Sequence, residues 1–335
     1  MSVTVWGAFD TFRKNTVDLD PDQTRTARSS RDFLFAQLNG LNISIIGFPP
    51  MFGGYLNFGS FARRTKIRPI NDIDMMILLS GSKTTAVQTS NDPYCYWLRI
   101  DDPAAPLSGF RDEYGYVNST KVLNKIKASL PSISQYTKAE TKKTMQAVTL
   151  NLRSYPWIFD IVPAVPINSS FTTAVDHYLI PDGKGKWMRT DPRKDGSSVS
   201  LVSGKHGGYF LPVMRLLKYW NNRTNNKSRL PSYYFETLVL KTFENASAIK
   251  SYPAGVKYFF DYGQVYVTLP CPDPKGLGPN LDRHTDWATK QKVIDAMNLA
   301  STNAGYAVMY EASSDYKDAI YWWQQVFGPG FPSYG

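Results

Sequence analysis

The sequence has few cysteines and histidines, which limits the disulfide and metal chemistry open to it. Its 335 residues include two cysteines, Cys95 and Cys271, and three histidines that lie far apart in the chain. Two cysteines cannot build a disulfide framework or a CxxC site, and no Cys/His cluster has the spacing of zinc ligands. We therefore expect a protein of a reducing compartment with no zinc site.

Long apolar runs are also missing. The longest, near Ile73–Leu79, falls far short of the ~20 residues that a membrane span needs. The first residues show no basic region followed by an apolar stretch, so no secretory signal is visible. Hydrophobic residues make up 42% and charged residues 20% of the chain, as in ordinary globular proteins. We expect a cytoplasmic globular protein that does not interact with membranes.

No run of five or six like charges occurs, yet the chain is basic overall. There are 38 lysines and arginines against 28 acids, which gives a net charge of +10. A basic balance favours an anionic partner such as a nucleotide, a nucleic acid or a phospholipid. The charge excess is therefore spread over the chain and does not form a basic tail.

The amino-terminal half has mixed helical and strand patterns. Asp20-Pro21 predicts the start of a helix that runs toward Gly40, because an acid followed by proline is typical of a helix amino terminus. Residues 67–80 predict a strand of aliphatic and β-branched residues. Residues 143–153 and 157–162 predict an antiparallel hairpin, and 119–130 an amphipathic helix.

The carboxy-terminal half has mainly helical patterns. Helices are predicted from Leu211, from Ser232, around 286–304, and in a segment that ends at Trp322-Trp323. Residues 181–208 are rich in Gly, Lys, Asp and Ser and predict a connection between two lobes. The interpretation is an α+β protein with lobes at 1–205 and 206–335.

Asp72 and Asp74 are the first candidates for chemistry. They are two positions apart on the predicted strand, so both carboxylates leave the same face, while Ile73 and Met75 point to the core. Paired acids repel each other and gain nothing from a purely structural strand. Two divalent cations of the kind used in phosphoryl transfer would account for them.

Asp160 is the candidate for the third acid of such a site. It lies in an otherwise apolar strand, Trp157-Ile-Phe-Asp160-Ile-Val, where a carboxylate is costly unless it is paired or binds a metal. A solvent-facing acid at a strand end is the alternative interpretation.

Gly59-Ser60 precedes the acid pair and is predicted to follow a strand and open a helix. Glycine lets the backbone approach a phosphate closely, and the amides at a helix amino terminus attract its charge. Arg63, Arg64 and Lys66 add positive charge nearby.

Together these motifs resemble the nucleotidyltransferase superfamily typified by DNA polymerase β. Two segments are similar to the bacterial branch of this superfamily, which is related to cyclic GMP-AMP synthase and oligoadenylate synthetase. They are Gly59-Ser-Phe-Ala-Arg-Arg-Thr-Lys-Ile-Arg-Pro-Ile-Asn-Asp72-Ile-Asp74 and Phe159-Asp160-Ile-Val-Pro-Ala. This branch comprises the cyclic-oligonucleotide synthases of anti-phage signalling. The segments Leu217-Lys218-Tyr-Trp and Pro231-Ser232-Tyr233-Tyr-Phe-Glu are similar to the helical lobe of that family.

The resemblance implies a fold and a set of roles. The fold would be a polymerase β-like core of mixed sheet and helices, a mostly helical carboxy-terminal lobe, and a cleft between them. Asp72, Asp74 and Asp160 would bind two Mg²⁺ ions, for which Mn²⁺ could substitute. The residues implied for the donor nucleotide are Gly59, Ser60, Lys218 and Ser232 on the triphosphate and Tyr233 stacked on the base.

The implied reaction condenses nucleoside triphosphates, either ATP alone or ATP with GTP or another nucleoside triphosphate, into a cyclic di- or trinucleotide and releases pyrophosphate. An effector protein would bind the product. The chain ends in Gly335, and this ending is similar to that of relatives whose carboxy terminus is conjugated by a ubiquitin-type partner enzyme. Two alternatives stay open: a synthase of linear chains of the oligoadenylate or poly(A) type, and an inactive protein that binds nucleotides or RNA.

Overall fold

The computed structural model describes residues 2–168, 174–223 and 228–335, and in these ranges it has the expected α+β architecture. The strands are β1 (Met51–Asn57), β2 (Asp72–Leu79), β3 (Thr84–Gln88), β4 (Cys95–Ile100), β5 (Glu140–Lys143), β6 (Val148–Asn151), β7 (Ile158–Asn168), β8 (Val175–Pro181) and β9 (Trp187–Thr190). The helices are α1 (Val5–Phe12), α2 (Pro21–Ser44), α3 (Gly59–Ala62), α4 (Ser119–Ser129), α5 (Pro192–Lys205), α6 (Phe210–Arg223), α7 (Ser232–Glu244), α8 (Tyr252–Tyr262), α9 (Gln264–Thr268), α10 (Trp287–Ala312) and α11 (Tyr316–Phe327).

The strands form one mixed sheet in the order β1-β2-β7-β8-β9-β4-β3, with β6 on β7 and β5 on β6. Strand β2 is parallel to β7, whereas β6 is antiparallel to β7, which confirms the predicted hairpin. The strand β7 is long because its first half pairs with β2 and β6 and its second half, from Val165, pairs with β8. It thereby connects the two parts of the sheet.

The central strand β2 is anchored by its apolar face, as its alternation predicts. Ile73, Met75, Ile77 and Leu79 are completely buried. The strand begins at Asp72, later than the predicted residue 67, because Pro69 cannot donate to a strand ladder. The two acids therefore stand at the start of the strand, beside the loop that follows α3.

Helix α2 begins as the sequence predicts. The Asp20 carboxylate accepts hydrogen bonds from the amides of Asp22 (3.0 Å) and Gln23 (2.9 Å), and Pro21 occupies the first turn. The helix runs to Ser44, one turn beyond the predicted end at Gly40. Its buried stripe packs it against the sheet and leaves Arg25 and Arg28 exposed.

Residues 181–208 contain regular structure, which the composition of the predicted connection between the lobes did not indicate. Strand β9 pairs with β8, with Thr190 opposite Tyr178, and helix α5 follows it. Asp191 caps α5 by accepting from the amide of Arg193 at 3.0 Å, and Pro192 stands at its first position. The polar composition therefore belongs to a turn, a strand that is paired on both sides, and an amphipathic helix.

Two large hydrophobic cores lie in the described residues, together with a smaller cluster around Met76 and Val162. One joins α2 and α4 to the sheet, and the other joins α6, α7, α8, α10 and α11, which confirms the predicted helical half. Helix α1 belongs to the second core: the Phe9 ring contacts Trp323 with 4.9 Å between centroids. The two cores therefore do not divide the chain at one point, and the boundary at 205/206 stays a prediction.

The described helices include none that is both long enough and apolar enough to cross a membrane.

Candidate active site

The three predicted acids lie together where β2 and β7 run side by side. In the parallel register Asp74 stands opposite Asp160, and Asp72 is two positions earlier on the same face of β2. All three side chains are half-buried, whereas their apolar neighbours Ile73 and Phe159 are fully buried. Strand pairing thus brings together carboxylates that are far apart in the sequence.

Gly59 is in contact with this acid cluster. Its φ is +70°, in the left-handed region that glycine adopts without strain. A Cβ atom at this position would lie 1.7 Å from Oδ2 of Asp74, inside any possible contact distance. The start of α3 can therefore approach the acids this closely only with a glycine.

Burial and mutual repulsion raise pKa values within the acid cluster. Burial, together with the charges of Asp72 and Asp160, raises the pKa of Asp74 to about 6. Burial also raises the pKa of Asp160, although Thr149 donates a hydrogen bond of 2.8 Å to its Oδ1. The Lys66 ammonium forms an ion pair with Asp72. The cluster therefore holds more negative charge than its surroundings neutralise.

The acids suit a pair of Mg²⁺ ions for two reasons: they offer carboxylate oxygens, and their negative charge is in excess of the positive charge around them. Hard divalent cations take carboxylate oxygens, and nearby positive charge would lower the raised pKa values. In the described part of the chain, no three Asp, Glu, His or Cys side chains already converge at ligand distance. Asp72 points to Lys66, so it would have to exchange that ammonium for the metal.

A cavity of about 510 Å³ lies beside the acids, between the two halves of the protein. It brings together four residues predicted at the site, and five further polar residues share its lining. The predicted ones are Ser60, Asp72, Lys218 and Ser232; the additional ones are Lys66, Arg68, Asn71, Asn222 and Arg229. We call it the interlobe cavity. Apart from Asp72, its charged groups are cations, which suits a polyphosphate.

Lys218 is more constrained than the sequence indicates, since only 4% of it is exposed. Its Nζ donates to Oε1 of Glu236 (2.5 Å) and to the Thr65 carbonyl (2.8 Å). Burial lowers the pKa of Lys218, while the adjacent Lys218 and Arg63 cations lower that of Glu236 against the opposing effect of burial. Lys218 therefore holds the loop after α3 as well as lining the cavity.

Tyr233 is placed differently from the other predicted residues, because it is not among those lining the interlobe cavity. Its hydroxyl donates to Oδ1 of Asp195 (2.6 Å) and accepts from Nζ of Lys275 (2.7 Å). The cations of Lys275 and Arg63 lie over its ring, 4.4 and 5.4 Å from the centroid. Stacking on a nucleotide base would require at least one of these cations to move, and the predicted stacking role stays a prediction.

A second cavity, of about 250 Å³, lies on the other side of the acid cluster. Asp74 and Asp160 contribute to it, and its remaining lining is neutral, including Phe58, Gln146 and Val162. The acids thus separate a cation-rich cavity from a neutral one.

Sequence reasoning missed the contacts of Lys66 and Glu236. Lys66 was noted only as one of several cations, but it pairs with Asp72. Glu236 accepts from Arg63 (3.0 Å), Thr65 (2.9 Å) and Lys218, so its two oxygens are fully used. The available signal was a single acid within the apolar stripe of α7, which is costly unless it is paired.

Comparison with characterised proteins gives two relatives. A probable cyclic nucleotide synthase of Bacillus cereus (strain VD146) is 38% identical over 336 residues, covering 100% of this chain and 99% of the relative. The cyclic AMP-AMP-AMP synthase of Escherichia coli (strain MS 115-1) is 23% identical over 298 residues, covering 82% and 81%. No model of a known protein family matches the chain.

Solved structures share the fold over nearly the whole chain. CdnC of Escherichia coli MS115-1, solved in a complex with HORMA-deltaN, aligns with a TM-score of 0.68 at 19% identity over 98% of each chain. Vibrio cholerae DncV cyclic AMP-GMP synthase, solved with the linear intermediate pppA(3′,5′)pG, aligns with a TM-score of 0.68 at 11% identity over 99% of this chain and 98% of that one.

Proposed function

Because the chain belongs to the bacterial nucleotidyltransferases related to cyclic GMP-AMP synthase, which form cyclic oligonucleotides, we propose that it condenses ATP, alone or with GTP, into a ring of two or three nucleotides and releases pyrophosphate. The observation that carries the proposal is the position of Asp72, Asp74 and Asp160 between two cavities of different character. The cation-rich interlobe cavity suits the donor triphosphate. The neutral cavity suits an acceptor nucleoside whose hydroxyl must reach Asp160.

The residues of the chain would act mainly by positioning and proton transfer. Ser60, Ser232 and Arg229 would bind the triphosphate so that its pyrophosphate leaves in line with the attack on the α-phosphorus. Asp160, whose pKa burial raises, would accept the proton of the acceptor hydroxyl. Two Mg²⁺ ions held by the three acids would supply charge neutralisation on the phosphates and acidify that hydroxyl.

Ring closure would require the linear intermediate to bind a second time with its ends exchanged. Its triphosphate would enter the interlobe cavity and its free hydroxyl would lie on the Asp160 side. Two cavities that meet at the acids are sufficient for this, because neither has to hold a long strand.

We further propose that the product serves in anti-phage signalling and is bound by an effector protein. The E. coli relative CdnC was solved with HORMA-deltaN, so a HORMA-type protein is a candidate partner of this chain as well. Conjugation of the Gly335 carboxyl group by a ubiquitin-type enzyme stays a prediction.

The direct test is product analysis. The protein is incubated with Mg²⁺ and all four nucleoside triphosphates, the mixture is treated with alkaline phosphatase, and the surviving species are identified by mass spectrometry. We expect stoichiometric pyrophosphate in a sample taken before the phosphatase is added, and a resistant ring of two or three nucleotides after it. A ladder of linear products that the phosphatase trims would contradict a cyclic product and favour a synthase of linear chains.

The acid assignment is tested with Asp72→Asn and Asp74→Asn. Each should lower turnover by at least ~10²-fold, about 2.7 kcal/mol of barrier, because each removes a charge from the metal-binding cluster. The matched control is Asp295→Asn, an exposed acid on α10. Turnover of either acid variant within a few-fold of the control would overturn the assignment.

A further inference from the structure

A small, strongly basic pocket lies behind the loop that follows α3, away from the neutral cavity. Its volume is about 190 Å³, less than half that of the interlobe cavity. Side chains from α2 and the residues just before it, from α3 and the loop after it, and from α6 of the helical half surround it. They are Asp18, Leu19, Thr24, Arg28, Phe61, Arg64, Lys66 and Arg215. We call it the rear pocket.

The positive charge of the rear pocket is not balanced within the protein. Four cations line it against one acid, Asp18. That acid already accepts from Arg215 (2.6 Å) and forms an ion pair with Arg13, so it has no charge left for the others. Arg28 and Arg64 are exposed, and neither has an ion-pair partner in the described part of the chain. Like charges gathered in this way repel, and an anion would relieve the repulsion.

The framework of the pocket is fixed although two of its cations are free. Arg215 donates through Nε to Asp18 and through a terminal nitrogen to the Arg64 carbonyl (2.9 Å), and this ties α6 to the loop. Arg68 donates from Nε to the Asp18 carbonyl (2.9 Å). The pocket is therefore built before a ligand arrives, which lowers the entropic cost of binding.

Lys66 connects this pocket to the candidate active site. Its side chain lines both the rear pocket and the interlobe cavity, and its ammonium pairs with Asp72. An anion in the rear pocket and the Asp72 carboxylate would therefore compete for one ammonium group.

We propose that the rear pocket is a second anion site, which takes a small phosphate-type polyanion and draws Lys66 away from Asp72 when it is occupied. Guanidinium groups match phosphate oxygens in pairs, which favours phosphate over a monovalent anion. The volume admits one or two phosphate groups but is below the usual size of a pocket for a nucleotide-sized ligand. Release of Lys66 leaves Asp72 available to a divalent cation. The existence of the site does not depend on which nucleotides the enzyme uses.

The first test measures binding of inorganic pyrophosphate by calorimetry in EDTA, without nucleotide. Arg28→Gln should weaken one binding event about 10-fold, since a charge-assisted contact is lost. The matched control is Arg25→Gln, which removes the same charge from the same helix at an exposed residue paired with Asp22. It should stay within 2-fold of wild type. Equal losses in both variants would mean that only net charge matters and would overturn the site.

Arg229→Gln separates the two cavities, because Arg229 lines the interlobe cavity and not the rear pocket. It should leave intact the binding event that Arg28→Gln weakens. If Arg229→Gln removes all pyrophosphate binding while Arg28→Gln has no effect, the anion binds only in the interlobe cavity and the proposal is wrong.

The second test measures the coupling through Lys66. Added orthophosphate should lower the free Mg²⁺ concentration needed for half-maximal turnover several-fold in wild type and leave it unchanged in Arg28→Gln. An unchanged Mg²⁺ requirement in wild type, with pyrophosphate binding intact, would retain the site and overturn the coupling.

Discussion

At the scale of single residues, Asp74 shows the strongest conflict between function and stability. Burial and two neighbouring carboxylates raise its pKa to about 6, against 3.8 for the ordinary side chain. In the folded protein this carboxyl therefore stays protonated up to about pH 6, whereas the unfolded chain ionises it near pH 4, and the difference costs stability. An acid that costs stability in this way fits the proposed role in metal binding better than a structural one.

Asp74→Asn should therefore stabilise the metal-free protein. A folded pKa above the unfolded one makes stability fall as the pH rises from about 4 to 6, and asparagine avoids that loss. The shift of about two pH units corresponds to a gain of about 2–3 kcal/mol at pH 8. Chemical denaturation at pH 4 and pH 8 checks this: the variants should differ at pH 8 and converge at pH 4. If the Asp74→Asn variant is less stable than wild type at pH 8, the electrostatic explanation is wrong.

Gly59→Ala tests the contact between glycine and Asp74. The added Cβ would overlap Oδ2 of Asp74, so the carboxylate must move and turnover should fall at least ~10²-fold. Gly53→Ala is the matched control, since Gly53 also has positive φ (+77°) but has no atom within 4 Å of an added Cβ. Both variants should lose about 1–2 kcal/mol of stability through backbone strain. Similar turnover in the two would show that strain alone, and not the displaced carboxylate, matters.

At the scale of secondary structure, α7 illustrates how adjacent residues acquire opposite roles. Consecutive helix positions point about 100° apart, so Tyr233 and Tyr234 meet different surroundings. The Tyr233 hydroxyl links α7 to Asp195 on α5 and to Lys275. The Tyr234 hydroxyl is buried and has no hydrogen-bond partner among the described residues.

The two tyrosines should therefore respond differently to loss of the hydroxyl. Tyr233→Phe should destabilise the protein by about 1.5–3 kcal/mol, because it removes a hydrogen bond to a buried carboxylate. Tyr234→Phe should be neutral or stabilising, since it removes an unsatisfied buried group. Thermal denaturation of the pair gives the comparison. If Tyr233→Phe is as stable as wild type, the Asp195 contact does not support α7.

The contrast also revises an expectation that follows from base stacking alone. If Tyr233 acted only through its ring face, Tyr233→Phe would change neither the stability nor the nucleotide affinity appreciably. The structure instead gives the hydroxyl two partners, so a loss of stability is expected even where nucleotide affinity is kept.

At the scale of the whole molecule, the two halves are joined beside the active site by a buried ionic cluster. Glu236 and Lys218 come from the helical half, and Arg63 and Thr65 from the loop after α3. Glu236 is 2% exposed, so removing its charge would leave two cations without their counterion.

Glu236→Gln should consequently lower the free energy of unfolding by about 3–5 kcal/mol and displace the loop that carries Ser60. Glu244→Gln, at the exposed end of the same helix, is the matched control and should change little. Urea denaturation measures the loss of stability, and the Michaelis constant for ATP measures the displacement of the loop that carries Ser60. A loss below 1 kcal/mol would mean that water enters the cluster and screens it.

The amino-acid sequence alone determined the local features on which the proposed chemistry depends. Asp72 and Asp74 share a face because strand residues two apart do so, and Gly59-Ser60 was predictable as the start of a helix after a strand. The cap at Asp20 and the apolar stripes of the carboxy-terminal helices were equally readable. Each depends on the chain within one element, where periodicity gives the direction of a side chain.

Tertiary packing alone decided which distant groups meet. The sequence could not reveal that Asp74 stands opposite Asp160, that Lys66 lines two cavities, or that Tyr233 hydrogen-bonds to α5. Residues 187–205 were not recognised as regular structure because their polar composition resembles a linker, whereas pairing with β8 and the Asp191 cap make them a strand and a helix. Periodicity reports the face that a side chain takes on its own element, but the partner across that face is set by the packing of segments that are far apart in the chain.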